Sequence, residues 1–146
     1  VVQLIWRPTT FLDKKLKNDA SARATAAWGC AIDADKTVQY HDWLYANQPE
    51  TEGDGWTNDQ LLQFGKDVGI TGDAYTTFES CVNSGKYSLW PVNSTEVFYG
   101  SGAQGTPSAT LNGTPIDNAT LADKAALDKF VADYIAGSPS PSASAS

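Results

Sequence analysis

Residues 105–116 constrain the fold more than any other part of the sequence. They predict a corner at Thr106-Pro107, a short strand, a tight turn at Asn112-Gly113 and a returning strand. Asn-Gly favours a two-residue hairpin turn because a type I′ turn needs a positive φ at both central residues. Proline lacks an N–H, so it is tolerated at the start of a strand but not within it. The local sequence therefore predicts a β-hairpin after Pro107, with the common trans isomer favoured on base rates alone.

The charge of the chain argues against one class of partner. Its 146 residues include 17 acidic and 10 basic side chains, which gives a net charge of −7. Nucleic acid requires a basic surface, so we expect no nucleic-acid partner. The length suffices for one domain with its own core, and no apolar run is long enough to span a bilayer.

An acidic loop and a single histidine contain residue types that can form metal or catalytic sites, but their sequence context predicts no such site. Glu50, Glu52 and Asp54 form an acidic loop without the spacing of a calcium-binding loop. His41 is the single histidine, it lies beside Asp42, and we expect it to be structural. We therefore expect no metal and no cofactor.

The rest of the chain predicts one strand and a series of helices. Residues 1–7 are rich in β-branched and aromatic side chains on both alternating faces, which predicts a strand covered on both sides. Thr57 and Gln60 match a capping box, and Thr120 and Asp123 have the same spacing. The predicted helices cover approximately residues 19–31, 36–47, 57–69, 72–85, 91–98 and 120–137. This order of a strand, helices, a hairpin and a helix is typical of α/β proteins.

The cysteines, Cys30 and Cys81, are 51 positions apart, which is neither redox C-x-x-C nor zinc-binding spacing. An even number fits one disulfide outside the cytosol, and two separate buried thiols are the alternative. Cys30 is expected near a helix C-terminus, where the helix dipole disfavours a thiolate. We assign neither cysteine a catalytic role.

Four groups of residues together resemble the DsbA-like thioredoxin-fold oxidoreductases, in particular their actinobacterial and envelope branch with a helical insertion. The groups are Trp6-Arg7-Pro8 with Phe11-Leu12-Asp13; Ser21-Ala22-Arg23-Ala24 leading to Cys30; Tyr40-His41-Asp42 with Leu44-Tyr45-Ala46-Asn47-Gln48-Pro49, Leu61 and Leu62; and Cys81-Val82-Asn83-Ser84-Gly85-Lys86-Tyr87 with Trp90, Gly105-Thr106-Pro107 and Asn112-Gly113. Their order and spacing extend the resemblance over residues 1–137.

The resemblance implies an α/β fold, in which a thioredoxin-like sheet carries a helical subdomain inserted at about residues 17–99. Residues 1–137 would form a partial thioredoxin-like domain, and the Ser, Pro and Ala residues at 138–146 a disordered tail. The resemblance also implies that Thr106-Pro107 is the cis-proline corner beside the redox site, so that Thr106 and Pro107 bind substrate. It further implies that Cys30 and Cys81 form the structural disulfide of the insertion.

One departure from the family pattern is large. The family's catalytic C-x-x-C, with the central strand and the active-site helix, would lie before Val1 and is absent from this chain. The chain also begins with Val1 and contains no methionine, so we expect polypeptide upstream. In the family's fold, the strands at 1–7 and after Pro107 lie on either side of the central strand. We expect an upstream segment or a partner strand to complete the sheet, with domain swapping as the alternative.

Two functions follow from these expectations. The first is a thiol–disulfide oxidoreductase that acts on cysteines of secreted or envelope proteins through a C-x-x-C upstream of Val1, so that this chain alone contains no catalytic residue. The alternative is a non-catalytic thioredoxin-like binding or accessory module that has lost the C-x-x-C. The expected partners are extended peptide segments of cysteine-containing proteins and a redox partner protein. The expected location is extracytoplasmic, secreted or in the cell envelope, where a missing N-terminal segment is a possible anchor.

Overall fold

The computed structural model describes residues 2–137. Val1 and residues 138–146 lie outside the described residues, and so does the prediction of a disordered tail. The chain divides after Ser101 into two compact units. Whether residues 17–99 are an insertion in a domain spanning 1–137 stays a prediction.

In its described part, the first unit contains helices and no strands. Its helices are α1 (Phe11–Leu16), α2 (Ala20–Asp33), α3 (Thr37–Ala46), α4 (Asn58–Asp67), α5 (Gly72–Ser84) and α6 (Leu89–Gly100). The predicted capping box forms at the start of α4, where the Thr57 and Gln60 side chains each accept a backbone N–H from the other residue. At the start of α2, the Asp19 side chain forms no cap, and the carboxylate of Asp13 instead accepts the backbone N–H groups of Ser21 and Ala22 at 2.9 and 2.8 Å.

Helix α2 lies at the centre of this unit and packs against α3, α4, α5 and α6. Its alanines are small enough to let the neighbouring helices approach closely, and large side chains from the other helices fill the core. Tyr40 and Phe78 are almost fully buried, with exposed fractions of 0% and 1%. The Tyr40 hydroxyl donates to the Leu61 carbonyl oxygen at 2.8 Å, which satisfies it in this apolar setting, and burial raises the pKa of Tyr40.

The predicted strand at residues 1–7 is wrong for the residues that the structure describes. Residues 2–7 form no strand, and the side chains of Leu4 and Ile5 are 70% and 63% exposed. The physical reason is that a strand needs a neighbouring strand for its backbone hydrogen bonds, and the two described strands pair with each other. The segment is held instead by the Trp6 ring against Trp28 and by the Thr10 N–H, which donates to Thr95 Oγ1 at 2.9 Å.

The second unit contains the hairpin and two helices. Strands β1 (Ala109–Leu111) and β2 (Thr114–Ile116) are antiparallel. Asn112 and Gly113 have φ values of 48° and 86°, which confirms the predicted turn with two left-handed residues. The helices are α7 (Asn118–Ala122) and α8 (Lys124–Gly137).

The prediction of a capping box between Thr120 and Asp123 is wrong. Asp117 caps α7, and its side chain accepts the Thr120 N–H at 2.9 Å. Asp123 instead precedes α8 and accepts the Ala126 N–H at 2.8 Å. The expected single helix is therefore two helices, because each aspartate stabilises its own N-terminus.

Candidate functional site

Thr106 and Pro107 lie in the second unit, immediately before β1. Their peptide bond is cis, and both residues are exposed. Within the described residues, the backbone N–H and C=O of Thr106 make no hydrogen bond. An extended peptide can therefore reach these groups in the way that an added strand does. That Thr106 and Pro107 contact substrate stays a prediction.

The hairpin beside this corner has open backbone edges. Among the described residues, β1 pairs with β2 and with no other strand. Each strand therefore has one side on which backbone donors and acceptors are not used by the sheet. A further strand can therefore form backbone hydrogen bonds with either edge of the hairpin.

The two cysteines lie in the first unit and form a disulfide, with their Cα atoms 5.8 Å apart. Cys30 is in the last turn of α2 and Cys81 is in the last turn of α5. The carboxyl end of a helix carries partial negative charge, whereas an activated thiolate requires a positive environment such as a helix N-terminus. This arrangement suits a structural disulfide that joins two helices.

Three polar side chains lie next to the disulfide and were not found from the sequence. Lys86 Nζ donates to Asp33 Oδ2 at 2.7 Å, and the Tyr87 hydroxyl donates to Asp33 Oδ1 at 2.7 Å. We call Asp33, Lys86 and Tyr87 the Asp33 clasp. The hydrogen bonds from Lys86 and then Tyr87 lower the pKa of Asp33, and the hydrogen bond to Asp33 raises the pKa of Lys86 and of Tyr87.

The sequence contains one indirect signal for the clasp. Asp33 follows Cys30 by one helical turn, and Lys86 and Tyr87 follow Cys81 after the end of α5. The clasp can therefore be inferred only once the two cysteines are paired. Without that pairing, nothing in the sequence relates residues that are more than fifty positions apart.

His41 lies within a group of aromatic rings, as a structural histidine would. Its ring centroid is 4.3 Å from that of Trp6, 4.7 Å from Tyr45 and 5.3 Å from Trp28. Its Nδ1 is 2.9 Å from Asp42 Oδ1. The imidazole of His41 therefore packs against three aromatic rings and contacts one carboxylate. Through Trp6, these ring contacts hold the N-terminal segment against the helices of the first unit.

Residues 2–137 contain neither a metal-ligand cluster nor a membrane-spanning helix. No group of three or more His, Cys, Asp or Glu side chains there is arranged to hold a metal ion. The helices of the same residues are too short or too polar for any of them to cross a membrane.

Comparison with known proteins defines the class. The family model described as thioredoxin matches residues 2–132, and the chain belongs to this family. No curated protein matches the sequence. Among solved structures, the chain is similar to the MdbA protein, a thiol-disulfide oxidoreductase from Actinomyces oris, with 20% identity and a TM-score of 0.67.

The alignment with MdbA covers 87% of this chain and 61% of the MdbA chain, so this chain spans about three fifths of that structure. The likeness shows the fold, which is an α/β thioredoxin-like fold with a helical insertion, as the resemblance implied. What MdbA does is a property of that protein, and the geometry of this chain must support any function proposed for it.

Proposed function

We propose that this chain is the substrate-binding and helical part of an extracytoplasmic thiol–disulfide oxidoreductase. Its reactive C-x-x-C would belong to polypeptide that precedes residue 1. It would act on extended, cysteine-containing segments of secreted or envelope proteins, and a separate redox protein would renew its active disulfide.

The observation that carries this proposal is the exposed corner at Thr106-Pro107 in a thioredoxin-family fold. The corner presents free backbone groups at the beginning of a hairpin, where an extended peptide can bind as a strand. Such binding recognises the backbone and tolerates many side chains, which suits an enzyme with diverse unfolded substrates.

The pairing of both cysteines in a disulfide supports a reactive thiol that lies outside this chain. The sequence contains two cysteines, and both are in the disulfide between α2 and α5. Thiol–disulfide exchange requires an accessible thiolate, usually at a helix N-terminus. The proposal therefore assigns Cys30 and Cys81 a structural role and places the chemistry on another segment.

The open strand edges support a sheet that this segment completes. Within the described residues, β1 and β2 each keep one edge that pairs with no other strand. The MdbA structure also contains a further part beyond the 61% of its chain that aligns. A strand leading to a C-x-x-C helix would use these edges and would bring the reactive thiol to the Thr106-Pro107 corner.

Activity measurements on the longer natural protein test the proposal. Replacing the first cysteine of an upstream C-x-x-C by serine should abolish oxidation of a reduced model peptide, and the 146-residue chain alone should be inactive. Thr106→Glu should raise the KM for the peptide by about tenfold, because a carboxylate would obstruct the corner. Ala125→Glu is the matched control, since Ala125 is an exposed residue of the same unit and lies in α8, outside the hairpin. A natural protein without a C-x-x-C would contradict the enzymatic proposal.

One observation favours the alternative of a non-catalytic binding module. The chain has no free cysteine, so every feature that it contributes is a binding or scaffold feature. Under this alternative, reduced and oxidised forms of a peptide would bind the corner equally well, and no cysteine variant upstream would change a cellular function. Calorimetric titration of both peptide forms distinguishes the two proposals.

A further inference from the structure

The Asp33 clasp joins the same two helix ends as the disulfide. Asp33 is in the last turn of α2, as Cys30 is, and Lys86 and Tyr87 follow the residue at the end of α5, Gly85. A carboxylate in the last turn of a helix is disfavoured by the helix dipole. The contacts from Lys86 and Tyr87 compensate for this unfavourable position, and they require the two helix ends to be close.

The disulfide borders a pocket at the surface of the first unit. Cys30, Cys81, Asp33 and Lys86 line a surface pocket of about 590 Å³. Both cysteines are buried in the folded protein, and Cys81, at 8% exposure, is less buried than Cys30, at 2%. The pocket therefore places Asp33 and Lys86 beside the disulfide.

We propose that the Asp33 clasp is a positioning device for formation of the Cys30–Cys81 disulfide. In the reduced protein, the clasp holds the ends of α2 and α5 together and keeps the two thiols within bonding distance. The disulfide then forms as an intramolecular step at a high effective concentration of one thiol around the other. This inference does not depend on the proposed oxidoreductase activity.

The chemical step can be written with glutathione disulfide as the oxidant. The thiolate of Cys81 attacks one sulfur of glutathione disulfide and releases one glutathione thiolate, which leaves a mixed disulfide on Cys81. The thiolate of Cys30 then attacks Cys81 Sγ in this mixed disulfide and releases the second glutathione thiolate. Two protons leave the protein thiols and two glutathione thiols take them up, so the protein loses two electrons and glutathione disulfide gains two.

Thermodynamic linkage makes the proposal distinguishable from a merely structural contact. A contact that stabilises the oxidised and reduced proteins equally leaves the redox equilibrium unchanged. By the same linkage, a clasp that brings the thiols together and favours the disulfide is itself favoured by the disulfide, so it stabilises the oxidised protein more than the reduced one. Removing the clasp should therefore lower the equilibrium constant for disulfide formation and should destabilise the oxidised protein more than the reduced one.

The experiment compares Asp33→Ala and Lys86→Gln with Glu96→Ala. Glu96 is an exposed carboxylate of α6 that makes no ion pair within the described residues, so its removal is a matched charge control. Each protein is equilibrated in mixtures of reduced and oxidised glutathione, alkylated and digested, and the peptides containing Cys30 and Cys81 are quantified by mass spectrometry. Thermal unfolding is measured by circular dichroism with and without reductant.

We expect Asp33→Ala to lower the equilibrium constant for disulfide formation by roughly tenfold, since two hydrogen bonds to a charged group are lost at a partly exposed site. Lys86→Gln should lower it by roughly threefold, and Glu96→Ala should leave it unchanged within a factor of about two. Equal constants for Asp33→Ala and Glu96→Ala would overturn the proposal. Equal loss of thermal stability in both redox forms would do the same, as would a reduced wild-type protein without helical signal.

Discussion

The two units of this chain differ in how they bury their side chains. The first unit, up to Ser101, contains fully buried residues from α2 to α6, including Tyr40, Leu61 and Phe78. In residues 102–137, by contrast, no residue is fully buried. α8 has an apolar stripe, but its members are only half-buried: Leu127, Phe130, Val131 and Tyr134.

The helical unit therefore buries a core of its own, whereas the described part of the hairpin unit leaves apolar side chains half-exposed and strand edges unpaired. Burial of apolar surface is the main favourable term in folding, at about 25 cal/mol per Å². The first unit gains this term within itself and adds a disulfide. The second unit is suited to gain it by packing against further polypeptide, as the proposed function requires.

The largest expected effect comes from removing one aromatic ring in each unit. Phe78→Ala should lower the free energy of unfolding by about 3–5 kcal/mol, because its ring is fully buried. Phe130→Ala should cost clearly less, since its ring is only half-buried. Urea unfolding of both variants measures the difference. Equal losses would show that the two units bury their rings equally and would remove the contrast.

Loss of the disulfide should have the next largest effect. Replacing both Cys30 and Cys81 by alanine should destabilise the first unit by about 4 kcal/mol on the chain-entropy model for a loop of this length. The amide exchange rates of the β1–β2 hairpin should stay unchanged, because the crosslink lies outside its unit. Denaturant unfolding and hydrogen exchange make the two measurements, and faster exchange in the hairpin would contradict the separation of the units.

A smaller effect is expected at a helix contact of the first unit. A Cβ atom added at Gly65 would lie 2.4 Å from Cε1 of the buried Phe78 ring, so Gly65→Ala should destabilise by about 1–3 kcal/mol. Gly100→Ala is the control, since a Cβ there meets no atom within 4 Å and should be neutral or stabilising by up to about 1 kcal/mol. Thermal unfolding of both variants tests the packing, and a stabilising Gly65→Ala would contradict it.

The smallest effect is a difference in acid sensitivity. Asp33 in the first unit has a pKa lowered by hydrogen bonds from Lys86 and Tyr87, and Asp117 in the second unit has a pKa lowered by the backbone N–H of Thr120. Because each folded pKa lies below the unfolded value of about 3.9, the stabilisation is present above that value and is lost as the pH falls through the folded pKa.

Carboxyl carbon NMR titrations in the folded protein and in urea measure both groups. We expect both aspartates to titrate below their values in urea. An Asp117 that titrates at its urea value would show that the second unit does not keep its helix cap in solution, which would sharpen the contrast between the units.

Features that depend on neighbours within a few residues can be predicted from the amino-acid sequence. The turn at Asn112-Gly113 needs two left-handed residues, and the capping box of α4 needs Thr57 and Gln60 three positions apart, so both can be found from short-range chemistry. The end of α5 at Gly85, with φ of 65°, belongs to the same kind of signal. The thioredoxin-like fold was predicted from the order and spacing of several motifs that together resemble a known family, and no single motif specifies it.

Features that depend on partners far apart in the sequence become visible only in the folded chain. Residues 2–7 have the composition of a strand, but a strand forms only where another strand accepts its hydrogen bonds. The Asp33 clasp joins residues 53 and 54 positions apart, and nothing local to Lys86 or Tyr87 indicates a contact with α2. Hydrogen bonding and burial depend on which groups lie close together in the folded chain. The sequence lists the donors, acceptors and apolar groups but does not show which of them come into contact.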